Sequence, residues 1–312
     1  MSGPFVLVPL VVTTPMLTSS TIAEPAAGEA VWAAATSYTI GQQVIRVETH
    51  RIYENIIAGV NSTLPELAAN GTTPRWLDVG PTNRWAVFDT LVSSQSTIVS
   101  PLTFVLKPGF FNAIALYGLE GATVSVSIKD TPAGAVFYTK TIDLIEPPID
   151  YYDYYFGLIR LSTKAIFKDI LPQADPELTV TISAGAGIAV KAGMIAIGDL
   201  RALMLSSGQG GTLSGAKAKP ITYSYISTDA FGNTKIIKRA KATDLEISAV
   251  VPKADTDAAL LTMQSVLDIP AVWIASDQPG YEGLSVFGLA SGDVTYQSPI
   301  HSTITINVKG LI

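Results

Sequence analysis

The chain has 312 residues, 48% hydrophobic and 15% charged, with a formal net charge of −6 and a pI near 5.0. That balance lacks the basic stripe nucleic-acid binding needs. The absence of cysteine excludes disulfides, thiolate zinc and cysteine nucleophiles, and two histidines are too few for a multi-histidine metal site.

So long a chain exceeds one ordinary core, and two or three domains are expected. Its charged share is well below the roughly 25% of a typical soluble domain. Two readings fit: a surface covered by partners in a large assembly, or β faces lined by Thr, Ser and Asn. No cofactor is expected.

Residues 1–27 form the first segment. The stretch from Met1 to Val12 is apolar, but it has no basic n-region or nearby cleavage site, and Pro4 and Pro9 interrupt it. It is too short to span a membrane, and no membrane insertion is expected. It reads as a strand or extended arm that packs on a neighbouring domain or subunit, or as a strand of the first domain.

Residues 28–80 form a small module. Trp32, Tyr38, Gly41, Val44, Tyr53 and Trp76 punctuate short apolar pieces separated by turn residues. So small a fold needs its aromatics for buried area. Trp32, Tyr53 and Trp76 can be that core, or they can stack on sugar faces. The spacing resembles the small chitin-binding type of carbohydrate-binding module, which implies the glycan-binding role.

Residues 81–205 read as an antiparallel, jelly-roll-like β-sandwich. Pro81-Thr82-Asn83 marks a turn. Residues 84–89 read as a strand, with Arg84, Trp85 and Asp89 as a structural junction in which Arg84 pairs with Asp89. Period-two segments follow at 102–106, 112–117, 123–130, 136–144, 155–161, 178–183 and 194–198. Several short strands at this spacing point to a sandwich.

The run Asp150-Tyr151-Tyr152-Asp153-Tyr154-Tyr155-Phe156 stands out. Tyrosine-rich loops make good contact surfaces. Tyr151, Tyr152 and Tyr154 are therefore candidates for a subunit contact or a glycan platform, and Asp150 and Asp153 for glycosidase-like chemistry.

Residues 206–215 read as a Gly- and Ser-rich linker. Residues 216–312 read as an α+β module with one helix. Strands are expected at 221–227 and 234–238 around a turn at 229–233. Lys235, Lys238, Arg239 and Lys241 cluster there, as a solvated face or as an interface with an acidic neighbour. The helix is expected at 255–267, capped by Asp255 and buried through Leu260, Met263 and Leu267. Strands at 269–274, 286–289 and 300–308 complete a sheet.

Two motifs carry a further resemblance. Pro81-Thr82-Asn83-Arg84-Trp85-Ala86-Val87-Phe88-Asp89 is similar to a segment of tail proteins of tailed bacteriophages. So is the chain end, with Pro270, Trp273 and Ile274, then Ser298, Pro299, His301, Ser302, Gly310 and Leu311. The resemblance implies a non-enzymatic structural component of a phage tail. Its location would be the virion, and its partners other virion proteins and copies of itself in a symmetric assembly. The alternative is a receptor-binding protein for host cell-surface polysaccharide. No catalytic residue is implied, and His301 reads as a hydrogen-bonded structural residue.

Overall fold

The computed structural model describes residues 3–158, 160–204, 210–228, 231–276, 278 and 280–311. The chain is mainly β, as its period-two segments predict. Two large antiparallel sheets make the body, and the small module sits beside them.

The larger sheet has ten strands and curls into an open half-barrel. Its order runs Lys164–Phe167, Ala113–Tyr117, Met194–Ala202, Phe5–Pro9, Ala271–Ile274, Ser285–Thr295, His301–Gly310, Lys241–Pro252 and Gly211–Thr212, with Lys217–Thr222 also on Lys241–Pro252. The N-terminal strand Phe5–Pro9 therefore lies mid-sheet. It pairs with Met194–Ala202 on one side and Ala271–Ile274 on the other. Gly198 faces Pro9, where an added Cβ would run into the Val8 carbonyl.

A five-stranded sheet covers one half of this curl. Its order is Val136–Asp143, Thr123–Lys129, Glu177–Ser183, Leu102–Leu106 and Leu17–Ser20. Val124, Val126 and Ile128 alternate inward with Leu178, Val180 and Ile182, and meet Ile114, Leu116, Ile195 and Ile197 in one core. This layering is sandwich-like, as expected, but its larger sheet continues through Phe5–Pro9 and the C-terminal strands instead of closing within residues 81–205. Residues 1–27 thus contribute a strand to each sheet, and both neighbours of Phe5–Pro9 belong to this chain.

The helix Lys253–Val266 covers the other half through Val6, Trp273, Ile247, Ile304 and Ile306. Three details differ from expectation. Pro252 takes the cap position rather than Asp255, and the Thr256 hydroxyl donates to the Pro252 carbonyl at 3.1 Å. The buried stripe is Thr256, Ala259, Met263 and Val266, while Leu267 faces outward and Leu260 is only half-buried. Starting at Lys253 rotates the face that meets the sheet.

Other segments also depart from expectation. Residues 84–89 form no strand. Trp85 and Ala86 N–H both donate to the Thr82 carbonyl, winding Ala86–Phe88 into a 3-10 turn. The expected strand at 155–161 is replaced by a helix, Tyr151–Phe156, because the Asp150 carboxylate accepts from Asp153 N–H. The strand at 221–227 breaks after Thr222, where the Thr222 hydroxyl bonds Ser224, and resumes as Tyr225–Thr228. Of the expected linker, residues 206–209 lie outside the described residues, and Gly211–Thr212 is a buried strand pairing Val250 and Ala249. Residues 229 and 230 of the expected turn also lie outside the described residues.

Candidate functional site

The small module answers what its aromatic spacing is for. Strands Gln43–Arg46, Arg51–Asn55 and Trp76–Pro81 form a three-stranded sheet. Val44, Tyr38, Tyr53 and Trp76 close over it as the core, with Tyr38 edge-on to Trp76 at 5.1 Å between centroids. Tyr53 and Trp76 are 2% and 0% exposed and present no ring face to a sugar. Their glycan-binding role is corrected to a structural one, because a module this small buries its rings to have a core at all. Trp32 is half-buried, and the Arg46 guanidinium lies 5.1 Å from its ring centre.

The junction is organised by a residue sequence reading passed over. Glu24 is nearly buried, and three donors converge on its carboxylate. These are the Thr82 hydroxyl at 2.6 Å, Trp85 Nε1 at 3.1 Å and His50 Nδ1 at 2.9 Å. His50 comes from the turn of the small module, Trp85 from the sandwich and Glu24 from the N-terminal segment, so one carboxylate joins three parts of the chain. The expected Arg84–Asp89 pair is not formed. Asp89 accepts instead from the Ser94 hydroxyl at 2.5 Å and Leu91 N–H at 2.8 Å, while Arg84 Nε is buried without a hydrogen-bond partner among the described residues.

The tyrosine run forms a knob. Residues 144–146 and 160–162 pair as its stem, through Glu146 N–H to the Arg160 carbonyl and Ser162 N–H to the Leu144 carbonyl. Asp153 binds Arg160 at 2.7 Å and accepts from Ile149 N–H at 2.9 Å, while Asp150 caps the short helix. Both carboxylates are engaged in shaping the knob. That leaves Tyr151, Tyr152, Tyr154, Tyr155 and Phe156 between 67% and 87% exposed, with Ile149 and Leu158 beside them. The three predicted tyrosines therefore sit together in solvent, on an element apart from Trp32.

A cleft of about 580 Å³ opens at the foot of the knob. Phe5, Ile166, Leu200 and Ile274 make its apolar side. Lys164 lies there, and its ammonium donates to the Ser285 carbonyl at 3.0 Å and the Gly283 carbonyl at 3.3 Å. Burial holds its pKa below the ordinary lysine value, against an opposing pull from Glu282. Held by two carbonyls, Lys164 braces the sheet edge across the curl.

His301 opens the last strand, with its backbone bonded to Ser298. Among the described residues no group of His, Asp and Glu is arranged to hold a metal ion. Among them, too, no helix is long and apolar enough to cross a membrane.

No protein-family model matches the chain, and no curated protein matches it. Among solved structures, it is similar to a fucose binding module of Streptococcus pneumoniae, with 13% identity over 37% of this chain and 83% of that one. The TM-score of 0.26 is too low for that likeness to set a fold or a ligand here.

Proposed function

We propose that the chain is a non-enzymatic structural component of a bacteriophage tail, held to other virion proteins through exposed apolar surface. The tail-protein resemblance of residues 81–89 and of the chain end supports this reading. The observation that carries it is the knob, where the exposed rings of Tyr152, Phe156, Tyr155 and Tyr154 touch one another in turn and Tyr151 is exposed beside them. Surfaces of that kind mark interaction sites. The sparse charge of the chain fits the same use. The test is quantitative mass spectrometry of purified particles from the host that carries this coding sequence. A fixed copy number per particle is expected, and absence from particles overturns the reading.

A second reading is recognition of host surface glycan by Tyr151, Tyr152 and Tyr154. It is favoured by the exposure of those rings, since aromatic faces are what a sugar stacks on. Glycan-array binding that is lost in Tyr152→Ala and Tyr154→Ala supports it. Binding unchanged in those variants removes it.

A further inference from the structure

Two apolar elements of this chain project from the curled sheet, one towards each end of its strand order, and the curl brings their bases to one cleft lined by Thr163, Lys164, Thr222, Arg239 and Lys241. The knob rises beside the edge strand Lys164–Phe167. At the other end, Lys217–Thr222 and Lys241–Pro252 run on into a two-stranded ribbon of Tyr225–Thr228 and Thr234–Ile237.

The ribbon's register pairs Tyr225 with Ile237 and Ile226 with Ile236. Successive residues of a strand point to opposite faces. Each face of the ribbon therefore carries one apolar cross-strand pair. These four side chains are 40% to 62% exposed, and none belongs to a core cluster of the chain. A strand pair with one solvated face alternates apolar and polar residues, and an isolated hairpin is marginal in water. A ribbon apolar on both faces is built to be covered.

Charge indicates what covers it. Residues 223–241 hold Lys235, Lys238, Arg239 and Lys241 against Asp229, while residues 144–161 hold Glu146, Asp150 and Asp153 against Arg160. The basic apolar element matches the acidic aromatic one. We propose that the ribbon of one copy docks on the tyrosine knob of the next copy. The knob rings cover the face that carries Ile226 and Ile236. Lys235, Lys238 and Arg239 meet aromatic faces and carboxylates, contacts that cations favour. Because both elements rise beside one cleft, two copies that exchange ribbon and knob close a two-fold dimer, while a single contact per pair repeats into a ring or a filament. The inference deepens the assembly reading above and rests on it for the second copy.

Sedimentation velocity of the full chain tests this over about 1 to 100 μM, a range suited to micromolar association. Mass that grows with concentration and falls at high salt is expected, because salt screens the charged part of the contact. Ile226→Ser with Ile236→Ser on the ribbon, and Tyr152→Ser with Tyr154→Ser on the knob, should each weaken association by about tenfold or more. All four side chains are exposed, so unchanged circular dichroism checks that each variant folds. Mixing the two variants is the decisive arm. Each retains one intact surface, and a discrete one-to-one dimer is expected. A monomer at every concentration, association unaffected by both variants, or a mixture that does not pair overturns the proposal. Unaltered incorporation of both variants into particles removes this contact and leaves the tail reading. Self-association through ribbon and knob in a chain absent from particles removes the tail reading alone.

Discussion

His50 lies flat on Trp85, with ring centroids 4.0 Å apart and planes 19° from parallel. Glu24 fixes the stack by accepting from both rings on one carboxylate oxygen and from Thr82 on the other. Glu24→Ala would leave three donors without an acceptor at a buried joint. A buried donor left without its acceptor costs about 1 to 3 kcal/mol. Glu24→Gln keeps one acceptor oxygen and should cost less. Urea denaturation followed by tryptophan fluorescence measures both. A loss below about 0.5 kcal/mol for Glu24→Ala, the scale of a plain surface change, would mean the network does not hold the joint.

Asp89 gives a pH-dependent prediction. Burial raises its pKa above the ordinary carboxylate value, against the Ser94 hydroxyl and Leu91 N–H, which lower it. The folded state therefore holds this proton more tightly than the unfolded state. Stability supplied by the protonated form is fully present below the unfolded pKa and is lost as pH rises through the folded one. Asn has no charge to bury, and it still offers an acceptor to Leu91 N–H and an N–H to Ser94. Asp89→Asn should be more stable than the parent at pH 7, and the gain should vanish below about pH 3.9, the ordinary aspartate value. Denaturation curves at pH 7 and pH 3 decide. A gain of equal size at both would assign the effect to packing.

The buried and exposed aromatics should respond oppositely to truncation. Trp76 is fully buried in the small module, so Trp76→Ala should cost about 3 to 5 kcal/mol. Tyr152 is 73% exposed, so Tyr152→Ala should stay within about 0.5 kcal/mol. Thermal unfolding of the two variants tests the contrast. A severe loss for Tyr152→Ala would mean that the knob packs on the body.

What the sequence made legible follows the range of the forces involved. Val124, Val126 and Ile128 share a face because period two is a local property, and the sandwich strands follow from it. Asp150 ahead of Asp153 was a readable cap, but the aromatic composition around it favours strand, so the short helix was hidden. The turn at Ala86–Phe88 closes locally on the Thr82 carbonyl, but the tie of the Thr82 and Trp85 side chains to Glu24, some 60 residues earlier in the chain, is reported by no local pattern. The spacing of Tyr53 and Trp76 announced a module, yet spacing does not tell a ring turned inward from one turned out. The basic cluster beyond residue 234 was visible as charge, while the apolar pairs it accompanies needed the register of the ribbon.

The N-terminal strand makes the last prediction. Val6 and Leu7 are fully buried on opposite faces of Phe5–Pro9, Val6 in the core under the helix and Leu7 in the concave face of the curl. The strand also separates Met194–Ala202 from Ala271–Ile274 and bonds to both. Its removal would open two internal edges and two cores at once. Leu7→Ala should cost about 2 to 5 kcal/mol. Because one strand joins both halves, the sandwich and the helix-bearing half should lose stability in a single transition. Hydrogen exchange read separately on Thr123–Lys129 and His301–Gly310 distinguishes the outcomes. Equal loss of protection in both is expected, and loss confined to one would mean that the halves fold independently of the shared strand. Deleting residues 1–27 would likewise unfold the body, so loss of the proposed assembly in that deletion would report misfolding. Point variants on the exposed knob are the cleaner probe of assembly, since they leave this strand in place.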